Sequence, residues 1–265
     1  MLVPGTGKTQ TARLWTYVRD DRPWGGSDPP AVAYVYAPDR KAERPLAHLD
    51  GFTGILQVDG YAGYRALAER NAVQLAFCWS HVRRRFYELA AAGPAPIASE
   101  ALERIAALYR IETEIRGLTA DERCAIRQDK SRLITDALKP WLAEKLSLIS
   151  QKTKLAEAIR YALSRWQGLT RFIDDGRIEI DSNIVERSIR PIAPNRKNAL
   201  FAGSDGGGEH WAVIASLIET AKLNAVDPQA YLADVLTRIV NGHPQARIDD
   251  LLPWAYAPTN LKAVA

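Results

Sequence analysis

Residues 54–79 read GILQVDGYAGYRALAERNAVQLAFCW, and this stretch decides the fold class of the chain. The apolar run GILQVDG predicts a buried strand that ends in Asp-Gly. The segment YAGYRALAERN then predicts a helix, and VQLAFCW predicts a second buried strand. A strand, a helix and a strand in this order are typical of an α/β protein whose sheet is covered by helices.

The residues before this stretch predict two more strands. Residues 13–20 (RLWTYVRD) and 31–37 (AVAYVYA) are rich in β-branched and aromatic side chains, and the Pro- and Gly-rich segment DRPWGGSDPP separates them. We expect them to form a β-hairpin. The segment RKAERPLAHL predicts a short helix. The resulting order, β-β-α-β-α-β, predicts a mixed sheet with flanking helices.

The residues after this stretch are predominantly helical. Apolar positions recur at helical spacing from about residue 82 to 170, which predicts an all-helical insertion. A further helix is expected to open at Asp181-Ser182 and to end at Pro191. After it we expect a loop, FAGSDGGGEH, then a long helix through WAVIASLIETAKL and a last helix in PQAYLADVLTRIV.

The composition restricts the classes of protein that the chain can belong to. Hydrophobic residues make up 47% of it, which is enough to fill a sizeable core. The net charge of +4 and the pI near 9.0 favour a polyanionic partner, although a soluble enzyme with a basic surface has the same values. Two cysteines suit a reducing cytoplasm and exclude a disulfide framework. No apolar run approaches the roughly 20 residues of a membrane span, so we expect no membrane segment.

Two carboxylates are candidates for catalysis. Asp59 follows an apolar strand, where an open sheet presents functional groups, although Asp-Gly is also a common tight turn. Glu186 shares a predicted helix face with Arg187 and Arg190, so it lies either in a solvated ion pair or in a phosphate-binding patch. An acidic residue among cations suits a site where a divalent metal meets a DNA backbone, and the patch continues downstream through Arg196 and Lys197.

Three other motifs each leave an alternative open. Cys78 and His81 form a C-x-x-H pair without a second pair to complete a zinc site, so we expect packing for Cys78 and phosphate contacts for His81, Arg84 and Arg85. The glycine-rich segment 203–208 suits either a phosphate site at a helix start or a flexible loop. The Gly-Lys-Thr at 7–9 lacks the upstream glycine of a nucleotide-binding loop and favours a hairpin turn.

Taken together, the motifs resemble the transposases of the insertion-sequence-66 family from about Thr9 to Tyr256. The segments that carry the resemblance are TARLWTYVRDDRPWGG, VDGYAGY, CWSHVRRRF, DSNIVERSIRPIAPNRKNALFAGSDGGGEHWA, SLIETAKLNAVDPQAYL and IDDLLPWAY. The family is of the DDE type. The resemblance implies a ribonuclease-H-like core in residues 1–81 and 171–224, a helical insertion in 82–170 and a C-terminal helical element in 225–265.

The resemblance also implies a site and a reaction. Asp59 matches the second catalytic aspartate and Glu186 the catalytic glutamate, and two Mg²⁺ (or Mn²⁺) ions are implied as cofactors. They would serve strand cleavage at the ends of an insertion sequence and strand transfer into target DNA. The implied partners are double-stranded DNA and a second copy of the chain in a synaptic homodimer, in the cytoplasm at the nucleoid. The residues expected to contact DNA are Cys78, His81, Arg84, Arg85, Arg187, Arg190, Arg196 and Lys197.

The start of the chain departs from the family pattern. The family's first catalytic aspartate belongs on a strand that pairs with RLWTYVRD, and the sequence begins at the turn after that strand. We therefore expect an N-terminally truncated transposase with impaired activity, because a two-metal site would lack one ligand. The alternatives are a ribonuclease-H-like nuclease and a non-catalytic remnant that binds DNA ends.

Overall fold

The computed structural model describes residues 6–70, 72–193 and 203–256. The strands are β1 (Arg13–Arg19), β2 (Ala31–Ala37), β3 (Gly54–Val58) and β4 (Val73–Phe77). The α-helices are α1 (Glu43–His48), α2 (Tyr64–Arg70), α3 (Trp79–Ala91), α4 (Pro96–Glu114), α5 (Ala120–Ile126), α6 (Arg132–Leu148), α7 (Lys154–Leu163), α8 (Trp166–Thr170), α9 (Asn183–Ile189), α10 (Asp205–Leu223) and α11 (Pro228–Val240). Short 3₁₀ turns lie at Arg22–Trp24, Arg171–Ile173 and Gln245–Leu251, and a π-helical turn at Arg127–Ser131.

The chain divides into two compact units. The first, the hairpin unit, comprises residues 1–20, 27–40 and 184–265, and the second, the insertion unit, comprises residues 21–26 and 41–183. Asp59 therefore belongs to the insertion unit and Glu186 to the hairpin unit. Among the residues described in either unit, no helix is both long enough and apolar enough to cross a membrane.

The hairpin unit is built on the pairing of β1 with β2. The strands are antiparallel, with a register that runs from Arg13 opposite Ala37 to Arg19 opposite Ala31. Helix α10 covers β2: the backbone N–H of Val32 donates to Thr220 Oγ1 at 3.1 Å, and that of Tyr34 donates to Ser216 Oγ at 2.8 Å. These side chains satisfy backbone donors of β2 that no neighbouring strand takes up.

The insertion unit is built on β3 and β4, which pair in parallel from Gly54 opposite Val73 to Val58 opposite Phe77. Helix α2 is the crossover between them, as a parallel pair requires. The apolar core lies among α3, α4, α6, α7 and α8 and has Trp79 near its centre. The Trp79 indole packs edge-on against Trp166, with 5.7 Å between ring centroids, and donates its N–H to the Leu169 carbonyl at 2.7 Å.

A buried ion-pair network joins helices inside the insertion unit. The Arg127 guanidinium has no exposed surface and binds both carboxylate oxygens of Glu112, with donor–acceptor distances of 2.8 and 2.6 Å. It also donates to the carbonyls of Phe172 and Asp175. Arg123 is buried beside it and pairs with Glu112 and Glu179. The network therefore ties α4 and the π-helical turn to the chain after α8.

The order of elements in the first half of the chain agrees with the sequence prediction, and the structure is a mixed α/β protein. Two details differ. The described strands form two separate two-stranded sheets, β1–β2 and β3–β4, where a single mixed sheet was expected. The segment expected as a loop, residues 201–210, is helical from Asp205 onward, because the Ser204 hydroxyl caps the helix by accepting the Gly207 N–H at 3.2 Å.

Candidate functional site

Asp59 lies at the carboxyl end of β3, the edge of a parallel sheet where functional groups collect. Its side chain is exposed, and its Oδ1 accepts the backbone N–H of Tyr61 at 3.0 Å. Gly60 follows with a φ of +90°, which favours glycine. The tight turn that is the alternative interpretation of Asp-Gly is therefore present, and it places the carboxylate at the carboxyl end of β3.

Two residues of the helical insertion, Tyr161 and Arg165, stand next to Asp59. The Tyr161 hydroxyl donates to the Asp59 carbonyl at 3.3 Å. The guanidinium groups of Arg85 and Arg165 lie 4.1 and 4.0 Å from the centroid of the Tyr161 ring. Burial raises the pKa of Tyr161 although the two arginines lower it, so the hydroxyl stays a donor. Arg85 also pairs with Glu157 at 3.4 Å, so the cation that lies at the Asp59 turn is Arg165, which suits a phosphate ligand.

Gly60 permits this close approach. A Cβ atom at position 60 would lie 3.0 Å from the Tyr161 hydroxyl oxygen and 3.1 Å from Arg165 Nε. The sequence analysis missed Tyr161 and Arg165, because they lie about a hundred positions from Asp59 along the chain and occupy an ordinary amphipathic helical pattern. The positive φ of Gly60 was the only local sign of a close contact here.

Glu186 lies on α9 in the hairpin unit, half-buried, with Arg187 and Arg190 exposed on the same short stretch. The Tyr34 hydroxyl donates to the Ser188 carbonyl at 2.5 Å and so fixes α9 to β2. Burial, with a contribution from Glu219, raises the pKa of Tyr34 to about 12, so this donor stays protonated. Ile189 on α9 is 42% exposed, and the residue that α9 buries is Ser188.

The family implies Asp59 and Glu186 as metal ligands, and they belong to different units. Asp59 offers an exposed carboxylate, the hard oxygen donor that Mg²⁺ prefers. In residues 6–70, 72–193 and 203–256, no group of three or more His, Cys, Asp or Glu side chains is arranged to hold an ion. Arg196 and Lys197, predicted to extend the basic patch, lie outside the described residues.

The Cys78 thiol is inside the insertion unit, with 2% of the residue exposed. Its Sγ lies 2.9 Å from Ser80 Oγ and accepts the backbone N–H of Ser182 at 3.3 Å. Burial alone would raise the thiol pKa, but hydrogen bonds from His81, Ser182 and Ser80 lower it to about 7. Cys78 is therefore packed in the protein interior. Of the neighbouring residues predicted to contact DNA, His81 is half-buried and Arg84 is exposed.

The segment before α9 is fixed to the carboxyl ends of β3 and β4 by hydrogen bonds. Gln57 Nε2 donates to the Glu179 carbonyl at 2.8 Å, and the backbone N–H of Trp79 donates to the Ile180 carbonyl at 3.1 Å. The Ser182 N–H donates to Cys78, as described above. Cys78 and Trp79 thereby hold the segment directly before α9, which the sequence analysis did not predict.

Replacing Cys78 by serine is expected to remove a pH-dependent part of the stability. Folding lowers the pKa of the Cys78 thiol to about 7. The thiolate therefore stabilises the folded protein fully at pH values above the ordinary pKa of a thiol, and this stabilisation is lost as the pH falls through 7. The free energy of unfolding of the parent minus that of Cys78→Ser should therefore rise by about 2 kcal/mol between pH 6 and pH 9. Urea denaturation at several pH values measures it. A constant difference would show that the thiol does not ionise in this range.

The comparisons with known proteins identify the family. A family model described as Transposase IS66 family matches residues 1–210, and one described as IS66 C-terminal element matches residues 216–254. The chain is 50% identical over 264 residues to the uncharacterized protein y4qI of Sinorhizobium fredii, covering 97% of this chain and 49% of that protein. It is 45% identical over 260 residues to y4jD of the same organism, covering 96% of this chain and 51% of that protein.

The chain thus spans about half the length of the curated relatives that it matches. No solved structure matches it. The two family models follow one another along nearly the whole sequence, and the chain belongs to the IS66 family of transposases.

Proposed function

We propose that this chain provides part of the DNA strand-cleavage and strand-transfer site of an IS66 transposase, with Asp59 and Glu186 as catalytic carboxylates. The observation that carries the proposal is the Asp59 turn, where an exposed carboxylate at the carboxyl end of β3 is followed by Gly60, with Tyr161 and Arg165 packed close to it. A carboxylate near a cation suits a site that takes a phosphodiester together with a divalent metal.

Each residue has a distinct role in the proposed reaction. Mg²⁺ or Mn²⁺ ions, when bound, would supply activation of the attacking oxygen and stabilisation of the leaving oxygen. Asp59 and Glu186 would hold them by carboxylate oxygens. Arg165 would place positive charge where the phosphodiester lies, and Tyr161 would hold the Asp59 turn through its hydroxyl. Arg187 on α9 and Arg190 directly after it would contact phosphates, and double-stranded DNA in a homodimeric complex is the proposed partner.

The chain covers only about half of each curated relative, so a further catalytic carboxylate can come from the part that it does not cover. The described strands form two separate pairs, and β1 has one edge with no strand partner among the described residues. We propose that the part of the relatives that this chain does not cover includes a preceding strand, which pairs with that edge and brings the first catalytic aspartate. Strand addition to an open sheet edge uses the main-chain hydrogen bonds that the edge offers.

The test compares this chain with an extended version, in which it is preceded by the part of the Sinorhizobium fredii relative y4qI that it does not cover. Labelled DNA carrying the ends of the insertion sequence is incubated with each protein and Mg²⁺ or Mn²⁺, and cleaved and joined strands are separated by electrophoresis. We expect cleavage and joining by the extended protein, and little or none by the chain alone.

Each other outcome has a defined meaning. Equal activity of the two proteins would refute the proposed strand from upstream, because the chain would then contain its own third carboxylate. Cleavage without joining would favour a nuclease. Binding of DNA ends without cleavage by either protein would refute the catalytic proposal and favour a DNA-end-binding protein.

A further inference from the structure

A polar groove in the insertion unit lies outside the carboxylate site. It is a cavity of about 450 Å³ between α3 and α4, and the first residue of α9 closes one end. Its polar lining consists of Ser80, Arg83, Tyr109, Arg110, Thr113 and Asn183. A cavity of this size holds one nucleotide and is far too small for a duplex.

The charge in this groove is not neutralised by the protein. Arg83 and Arg110 are exposed, and neither has a carboxylate within 4 Å in the part of the chain that the structure describes. Many other arginines of the insertion unit are paired in this way, including Arg104, Arg116, Arg132 and Arg177. Two guanidinium groups without counter-charges on one small cavity favour an anionic ligand.

The carboxylate nearest to the groove is occupied by the protein itself. Asp181 accepts the backbone N–H of Asn183 at 3.0 Å and its side-chain amide at 2.7 Å. Burial and then Asp181 raise the pKa of Tyr109 far above its ordinary value, with Arg83 acting in the opposite direction. The Tyr109 hydroxyl therefore remains protonated, but it is buried beside Asp181. The Thr113 hydroxyl donates to the Tyr109 carbonyl at 2.9 Å, and the Ser80 hydroxyl lies 2.9 Å from Cys78 Sγ. The groups of this groove that can donate to an anionic ligand are therefore its two guanidinium groups.

The groove also lies at a suitable place along the chain. Ser80 is in the first turn of α3, directly after β4, and β4 pairs in parallel with the strand that ends at Asp59. Both strand ends therefore point to the edge at which α/β sheets bind ligands. Asn183, at the other end of the groove, is the first residue of α9, the helix that carries Glu186.

From these observations we infer that the groove binds one backbone phosphodiester, with its sugar, of the DNA strand that the proposed reaction acts on. The inference rests on the proposed function for the identity of the ligand as DNA. Arg83 and Arg110 contact the phosphate oxygens. Contacts of this kind position a strand without reading its sequence.

Fluorescence anisotropy with a labelled oligonucleotide tests the groove without requiring catalysis. The double variant Arg83→Gln/Arg110→Gln is compared with the control Lys139→Gln/Lys152→Gln, which removes the same charge from exposed positions on α6 and before α7. We expect the groove variant to bind at least about tenfold more weakly and to lower the salt slope of binding by about 1, because the contacts to one phosphate are lost. The control should change affinity by less than about threefold.

A photocrosslink locates the contact. DNA containing 5-iodouracil is irradiated with the parent protein, and we expect the label on the tryptic fragment 105–110, which contains Tyr109. Competition by a mononucleotide or by inorganic phosphate at millimolar concentration would show that the groove takes the free anion instead of a strand, and would overturn the inference as stated. Equal loss of binding in the groove and control variants would also overturn it.

The groove and the proposed function can fail separately. If the extended protein cleaves DNA but the groove variant binds like the control, the groove inference is wrong and the transposase proposal stands. If no protein cleaves DNA but the groove variant still loses affinity, the groove binds a DNA strand and the catalytic proposal is wrong. A parent protein that does not bind DNA at all refutes both.

Discussion

Replacing Glu186 by glutamine is expected to lower strand cleavage by the extended protein by about a hundredfold or more while leaving DNA binding unchanged or slightly tighter. The amide keeps the size of the side chain but loses the negative charge that would hold a divalent cation. Removing that charge from beside Arg187 and Arg190 also favours contact with phosphates. Cleavage is followed on labelled DNA ends, and binding is followed by anisotropy in the presence of Ca²⁺.

The matched control is Glu209→Gln on α10, an exposed glutamate of the same unit. It removes the same charge at a position to which the proposal assigns no role, so cleavage should change by less than about twofold. Cleavage by Glu186→Gln at the rate of the parent protein would rule out Glu186 as a catalytic carboxylate. Loss of both cleavage and binding, with an altered circular dichroism spectrum, would instead point to a defect in folding.

Replacing Arg127 by methionine is expected to destabilise the insertion unit by about 3–5 kcal/mol. The substitution leaves the largely buried Glu112 carboxylate without its bidentate partner and leaves the Phe172 and Asp175 carbonyls without donors. Arg123, which lies 3.5 Å from Glu112, compensates only in part because it also pairs with Glu179. Urea denaturation followed by tryptophan fluorescence measures the change.

Two further variants test whether the loss of stability in Arg127→Met arises because the ion pair is buried. Lys130→Met removes an exposed pair with Glu114 in the same π-helical turn and should cost less than about 1 kcal/mol. The double variant Arg127→Met/Glu112→Leu should recover part of the lost stability, because an apolar pair has no charge to bury. If Arg127→Met and Lys130→Met have equal effects, the buried network is not an important source of stability.

The parts of the fold that the sequence predicted depend on local patterns. The β1–β2 hairpin was predicted from two β-rich runs around a Pro- and Gly-rich turn, and β3, α2 and β4 from their apolar periodicity. The burial of a charged side chain cannot be predicted from local patterns where its partner comes from a distant segment. Arg123 and Arg127 have the composition of a solvated helix face, yet both are buried, because Glu112 and Glu179 meet them from other segments.

In the candidate site, too, the residues marked by a local sequence pattern were predicted and those placed by long-range contacts were not. Asp59 was predicted from its place after an apolar strand, and the structure places it at the end of β3. Tyr161 and Arg165 were not predicted, because only the tertiary arrangement of α7 brings them to Asp59. Cys78 was recognised as part of a motif, but its link to Ser182 was not, since a hydrogen bond between distant segments leaves no local pattern.

The long helical excursion between Trp79 and Ile180 leaves the sheet and returns to it at the same point, since the backbone of one residue is hydrogen-bonded to that of the other. An insertion whose two ends are hydrogen-bonded to each other can change length without displacing the strands on either side of it. Doubling the length of a flexible loop costs only about 0.6 kcal/mol in closure entropy. Evolution can therefore remodel the excursion among relatives while the edge that carries Asp59 stays fixed. Protein engineers could equally exchange the whole excursion between family members as a single cassette.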